Sequence, residues 1–156
     1  MNYPDFKRWL YQRGRPNWIA RLLNRGWAML HTLGLAPNYL VTLEVVGRRS
    51  GRLISFPLVL AVVDGERYLV SMLGADAAWV RNVAAAEGRA VMRHGRVERI
   101  VLEAVPVERR GPIIQAYLRR APGARPHIPV DKDAPLEAFA AVAAQIPVFQ
   151  IRAEQN

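Results

Sequence analysis

Three apolar, β-branched stretches follow one another between residues 39 and 72, with short turns between them. That spacing restricts the fold more than any other feature of the chain. Residues 39–46 alternate Tyr39, Val41, Leu43 and Val45 against Leu40, Thr42, Glu44 and Val46, too apolar on both sides for a strand facing solvent. Residues 53–63 repeat the texture. Asp64-Gly65 is a strong hairpin signal, after which residues 67–72 return as a third strand. Neighbouring strands joined this closely pair antiparallel. Parallel strands would need a dozen or more residues of crossover between them, so the alternating βαβ grammar is excluded.

The rest of the chain fits around that meander. Residues 1–17 read as an arm punctuated by Pro4, Gly14 and Pro16, and residues 18–153 as a single domain. Asn17 then caps an amphipathic helix over 18–34, whose apolar stripe is Ile19, Leu22, Leu23, Trp27 and Leu30. A short helix is expected over 77–86, capped by Asp76 and carrying Trp79, Val80 and Val83 on one side. Strands are expected over 89–93 and 97–107, joined at His94-Gly95. A helix follows over 109–120, then a proline-rich loop over 121–135, a helix over 136–144 and a closing strand over 147–151. The architecture this predicts is mainly β with helices (α+β), an antiparallel barrel of about six strands flanked by helices.

Composition narrows the function. The 156 residues hold no cysteine, which excludes a disulfide framework, thiolate metal sites and a cysteine nucleophile. His31, His94 and His127 have no metal-ligand spacing, so no metal is expected. Ser50, Ser55 and Ser71 lie outside any nucleophile elbow, and the acids form no evident pair. If the chain is an enzyme, the difficult chemistry belongs to a cofactor. The apolar runs stop short of a membrane span, and no charged-then-apolar leader opens the chain, so a soluble, cytoplasmic protein is expected.

The charge is lopsided: Lys and Arg total 22 against 13 Asp and Glu, for a net charge of +9. Residues 1–52 hold nine basic side chains and two acidic ones, so most of the excess lies in the first third. This points to an anionic partner, and arginine suits forked recognition of phosphate and carboxylate. Nucleic acid ranks last, because the strands carry few aromatics between their basic residues. Residues 1–34, with their arginines, Trp9, Trp18 and Trp27, are the part expected to touch an anionic membrane surface.

Gly47-Arg48-Arg49-Ser50-Gly51-Arg52 is the most informative motif. Glycines let backbone amides approach an anion, and two arginines with a hydroxyl supply charge-assisted donors. The spacing is not that of a Walker A loop. A solvated hairpin tip would need no ligand.

The run Leu43-Glu44-Val45-Val46-Gly47-Arg48-Arg49-Ser50-Gly51-Arg52, followed by Phe56-Pro57-Leu58, resembles the deazaflavin-dependent nitroreductase family. Tyr68-Leu69-Val70-Ser71, the Trp79-Val80-Arg81-Asn82-Val83 block and the tail Ile146-Pro147-Val148-Phe149-Gln150-Ile151 are similar to the later blocks of that family, and the likeness spans roughly residues 18–151. It differs at Met72-Leu73-Gly74-Ala75-Asp76-Ala77-Ala78, where the family often places a lysine or asparagine before paired glycines and an asparagine and proline before the tryptophan.

The resemblance implies a split β-barrel of the FMN-binding type holding coenzyme F-420, with FMN or FAD as the alternative cofactor. It implies hydride transfer to a small conjugated electrophile such as a quinone, nitro compound or enone. The other reading is a non-catalytic flavin- or lipid-binding module of the same fold. By the resemblance, Arg48, Arg49, Ser50 and Arg52 bind the cofactor's phosphate and glutamate tail. Pro57, Leu58 and Val59 line the deazaflavin through backbone atoms, and Ser71, Met72, Leu73, Gly74, Trp79 and Asn82 complete the wall. Tyr117, or a residue of the 121–135 loop, is the candidate catalytic group facing the substrate. A monomer and a homodimer are both open.

Overall fold

A computed structural model describes residues 39–155. The arm over 1–17, the helix expected over 18–34 and the membrane contact assigned to 1–34 lie outside the described residues.

The six strands are β1 (Leu40–Val46), β2 (Leu53–Val63), β3 (Glu66–Val70), β4 (Arg89–Arg93), β5 (Val97–Ala104) and β6 (Val148–Ala153). They close into a barrel in the order β1-β2-β3-β6-β5-β4, every neighbouring pair antiparallel. Closure gives every strand two neighbours over part of its length, which shortens the free edges that an open sheet of this composition would expose to aggregation. The β2–β3 hairpin turns on Asp64 (φ 51°) and Gly65 (φ 78°), two successive left-handed residues whose twist matches that of the flanking strands.

The double-sided apolar character of β1 has a direct cause. Val41, Leu43 and Val45 point into the barrel, fully buried with Leu69, Met92 and Ile100. Each such side chain contributes about 1.5–3 kcal/mol by leaving water. Helix α1 (Ala78–Ala85) adds Trp79, Val80 and Val83 to that interior cluster. The opposite face of the wall carries Leu40, Val59, Ala61, Tyr68, Val70 and Val148. These are covered by Ile113, Ile114, Tyr117 and Leu118 of α2 (Gly111–Arg120) and by Phe139 of α3 (Leu136–Val142).

Three local expectations are corrected. Asp76 does not cap α1. Ala77 holds the cap position without a side-chain bond, and the Asp76 carboxylate, one residue too early, accepts from Arg81 Nη2 at 2.7 Å. The segment after α2 is not all loop: Pro122–His127 coils as a 3-10 helix, with Ala121, Ala124 and Ile128 buried against α2 and the barrel. Finally, β5 ends at Ala104, and Val107–Arg109 turns as a 3-10 helix before Gly111-Pro112 opens α2.

The register leaves one long gap. β1 pairs with β2 from Leu40↔Val59 to Val46↔Leu53, whereas β3 meets β2 from Leu60↔Leu69 to Val63↔Glu66. Along 53–59, β2 therefore has β1 as its ladder partner and no second strand among the described residues. Pro57 sits in that stretch, where the lack of an N–H costs no ladder bond on the open side.

Candidate cofactor site

The 47–51 turn is built to hold its arginines out. Gly47 N–H donates to Arg52 O at 2.7 Å, and Gly51 N–H donates to Gly47 O at 2.9 Å. A Cβ at Gly47 would come within 2.7 Å of Ser50 Oγ and 2.8 Å of Ile54 Cδ1, so a side chain there would have to displace those two groups. Ser50 Oγ accepts the Arg52 N–H at 3.2 Å, which leaves its hydroxyl proton available to a ligand. Arg48, Arg49, Ser50 and Arg52 are all exposed.

One of these arginines is anchored. Asn82, on α1 and 2% exposed, offers Oδ1 to Arg48 N at 3.2 Å and to Arg48 Nη1 at 2.9 Å. The structure thus joins two residues 34 positions apart that the sequence had placed in one site. The anchor uses one guanidinium nitrogen. The others remain as donors in a fixed plane, the geometry that recognises phosphate or carboxylate oxygens.

The turn borders a cavity of about 930 Å³. Arg48, Arg49 and Ser50 line it on one side, and Arg89 and Arg99 line it from β4 and β5. Ala85, Ala86 and Ala90 add small apolar surface. Two glutamates also reach it. Glu44 is 3% exposed and accepts from Arg93 Nε at 2.8 Å, and Glu154 accepts from Arg99 Nε at 2.9 Å. Among the described residues no group of His, Cys, Asp or Glu is placed to hold a metal ion, and no helix is long and apolar enough to cross a membrane.

The model of the F-420H(2)-dependent quinone reductase family matches residues 16–129. The chain belongs to that family. No curated protein sequence matches it. Among solved structures, an F-420-H2 dependent reductase superposes on this family member with a TM-score of 0.52 at 20% identity, over 73% of this chain and 94% of its own. A conserved hypothetical protein from Mycobacterium tuberculosis gives 0.52 at 16%, over 82% and 79%. A chain described as a domain-swapped dimer gives 0.53 at 19%, over 87% and 98%. These likenesses establish the fold, a six-stranded barrel with helices. Family membership makes the chain an F-420-dependent reductase.

The residues present fit the anionic part of that cofactor. This family member carries exposed, planar guanidinium donors on a glycine-framed turn, and one is held in place by a buried amide. Arg48, Arg49 and Ser50 share the cavity, while Arg52 is exposed and outside its lining. Pro57 and Leu58 are half-buried on the open stretch of β2, and Val59 is buried. Gly74, at φ +84°, closes the turn after β3, where Ser71 is 1% exposed and donates its hydroxyl to Gly74 O at 2.6 Å. Met72 packs against the outer cluster, and Leu73 is exposed.

Two expected site residues occupy different surroundings. Trp79 belongs to the barrel interior, its ring edge-on to Phe149 at 5.5 Å, so it supports the wall from behind. Tyr117 is 4% exposed inside the cluster between α2 and the barrel and does not line the arginine cavity. Burial pushes its phenol well above the ordinary tyrosine value, which makes it a poorer proton donor. Conversely, Arg89 and Arg99 line the cavity and were not singled out from the sequence. Arg89, Val91 and Arg93 alternate at strand period, which marks one face of β4, but nothing local says that this face meets the 47–51 turn.

Proposed function

We infer that this family member binds F-420 between the 47–51 turn and the open stretch of β2 and reduces a flat conjugated electrophile such as a quinone, a nitro compound or an enone. The observation that carries this reading is the Arg48–Asn82 anchor at the head of that stretch. Residues 53–59 offer a strand edge about 20 Å long, at roughly 3.3 Å per residue, that has no second strand among the described residues and a fixed guanidinium at one end. In this reading Arg48, Arg49 and Ser50 hold the phosphate. The backbone of Pro57, Leu58 and Val59 sets the plane of the ring, and the turn from Ser71 to Gly74 limits it on the next strand. When bound in its reduced form, the deazaflavin supplies a hydride, and a proton from solvent completes the two-electron reduction of the acceptor. The protein contributes orientation, charge and exclusion of water rather than an acid–base residue of its own.

The experiment is direct. Purified protein is mixed with reduced F-420 and a panel holding a menaquinone analogue, a nitroaromatic and an enone, and cofactor oxidation is followed by absorbance. Turnover with at least one acceptor is expected. Binding without turnover on any acceptor would make the protein a binding module. Uptake of FMN or FAD in place of F-420 would correct the cofactor. Because a structural relative forms a domain-swapped dimer, we extend self-association to this chain as a homodimer, which sedimentation tests. A cytoplasmic location suits this reading.

A further inference from the structure

We propose that Arg89 and Arg99 form a second anion subsite, in the same cavity as the Arg48-Arg49 turn, that takes the carboxylates of the cofactor's glutamate tail. The inference rests on the F-420 reading above and adds to it where the tail runs.

Strand register places these arginines in line with the turn. Glu44 on β1 faces Val91 on β4, and Val91 faces Arg99 on β5. Extending the first pairing by two residues sets Arg89 opposite Val46, the residue before Gly47. Strands lie about 4.8 Å apart, so Arg89 stands one strand and Arg99 two strands away from β1, roughly 5 and 10 Å. A phosphate held at Arg48 and Arg49 thus has two further guanidiniums along the direction leading away from the β2 edge. The ring would lie on one side of the turn and the tail on the other.

The charges are not used up internally. Among the described residues, Glu154 is the one carboxylate within ion-pair distance of both arginines. It lies 2.9 Å from Arg99 Nε and 3.9 Å from Arg89 Nε. The side chains of Arg89 and Arg99 stay 68% and 58% exposed. The other glutamate of the cavity, Glu44, is 3% exposed and paired with Arg93 at 2.8 Å. Two guanidiniums sharing one acid retain positive charge. The alanines at 85, 86 and 90 leave room for a chain to lie between them and the turn.

The test compares two forms of the cofactor, one with several glutamates and one that ends at the phosphate. Binding is measured by fluorescence titration for the wild type, Arg89→Gln, and the double variant Arg89→Gln/Arg99→Gln. The double variant is expected to bind the tailed form about tenfold more weakly, as for loss of a charge-assisted contact, and the phosphate-ended form unchanged. Arg49→Ala is expected to weaken both forms. The single variant removes a loosely held surface group, so it keeps the test valid should the double variant unfold. It is expected to show a smaller loss confined to the tailed form. Equal affinities of wild type and variants for the tailed form would overturn the subsite, as would losses that ignore tail length. Failure of the wild type to bind either form would instead remove the cofactor reading itself.

Discussion

Arg48 and Asn82 show how a single buried amide prepares a charged surface group for work. Asn82 Oδ1 accepts two donors from Arg48, one of them a main-chain N–H. Asn82→Ala removes one main-chain and one charge-assisted bond to Arg48, a loss of about 1–3 kcal/mol. A lower melting temperature and a severalfold loss of F-420 affinity are therefore expected together. Asn82→Asp separates the two effects. It keeps the acceptor and strengthens the bond to Arg48, but sets a negative charge beside the anion, so stability should hold while affinity falls. Thermal unfolding and titration on the same two variants check this. Tyr117 gives a second prediction at this scale. Its folded-state pKa is raised by burial, so its contribution to stability is complete below the free tyrosine value of 10.0 and is lost as pH rises above it. Stability should drop by up to about 1.4 kcal/mol per pH unit in that range. Tyr117→Phe should remove that part of the alkaline loss in urea unfolding and leave the cofactor affinity at neutral pH unchanged. An equally steep loss in the variant would assign the effect to other groups.

Turns decide whether the strands can meet at all. Gly65 and Gly88 both have left-handed backbones, at φ +78° and +83°, but their surroundings differ. A Cβ on Gly65 meets nothing within 4 Å, so Gly65→Ala costs about 1 kcal/mol of backbone strain. A Cβ on Gly88 would lie 2.7 Å from Leu102 O, where Gly88 O also accepts the Leu102 N–H at 2.8 Å. Gly88→Ala must shift the end of β5 away from the start of β4. Its cost should exceed that of Gly65→Ala by at least about 1 kcal/mol, and Arg89 should move with it. Urea denaturation of the two variants gives the comparison, and equal costs would contradict it. These elements also show where sequence reading reaches its limit. The hairpin at Asp64-Gly65 was legible because two left-handed residues leave a compositional mark. The false cap at Asp76 arose because Asp is favoured at a cap, whereas the helix starts one residue later, with Ala77 at the cap and Asp76 paired to Arg81.

At the scale of the molecule, charge and closure act together. A net charge of +9 with an arginine-lined cavity predicts that F-420 affinity falls steadily with added KCl, while the unfolding midpoint, set by the barrel's apolar interior, changes little. Titrations at low and high ionic strength test this, and a salt-independent affinity would argue against charge as the main attraction. Removing part of the interior should do the reverse. Met92→Ala, at a residue 1% exposed among the strands, should cost about 2–5 kcal/mol of stability. Its cofactor affinity should stay intact in the fraction that remains folded.

What the sequence determined by itself was local: six strands, the turns between them, the helices after β3 and β5, and a basic, glycine-framed turn. Each follows from side-chain period or from residues that favour special backbone angles, signals that act within a few positions. The family blocks extended this to a cofactor class. The tertiary structure decided which of those pieces meet. Packing placed Trp79 in the barrel-interior cluster and sealed Tyr117 between α2 and the barrel wall. The offset between the β1 and β3 registers left β2 without a second strand along 53–59 among the described residues, and the β1–β4–β5 register carried Arg89 and Arg99 to the arginine turn. Those outcomes depend on strand pairing between distant segments, which is set by the fit of the whole core and leaves no mark on any single stretch of chain.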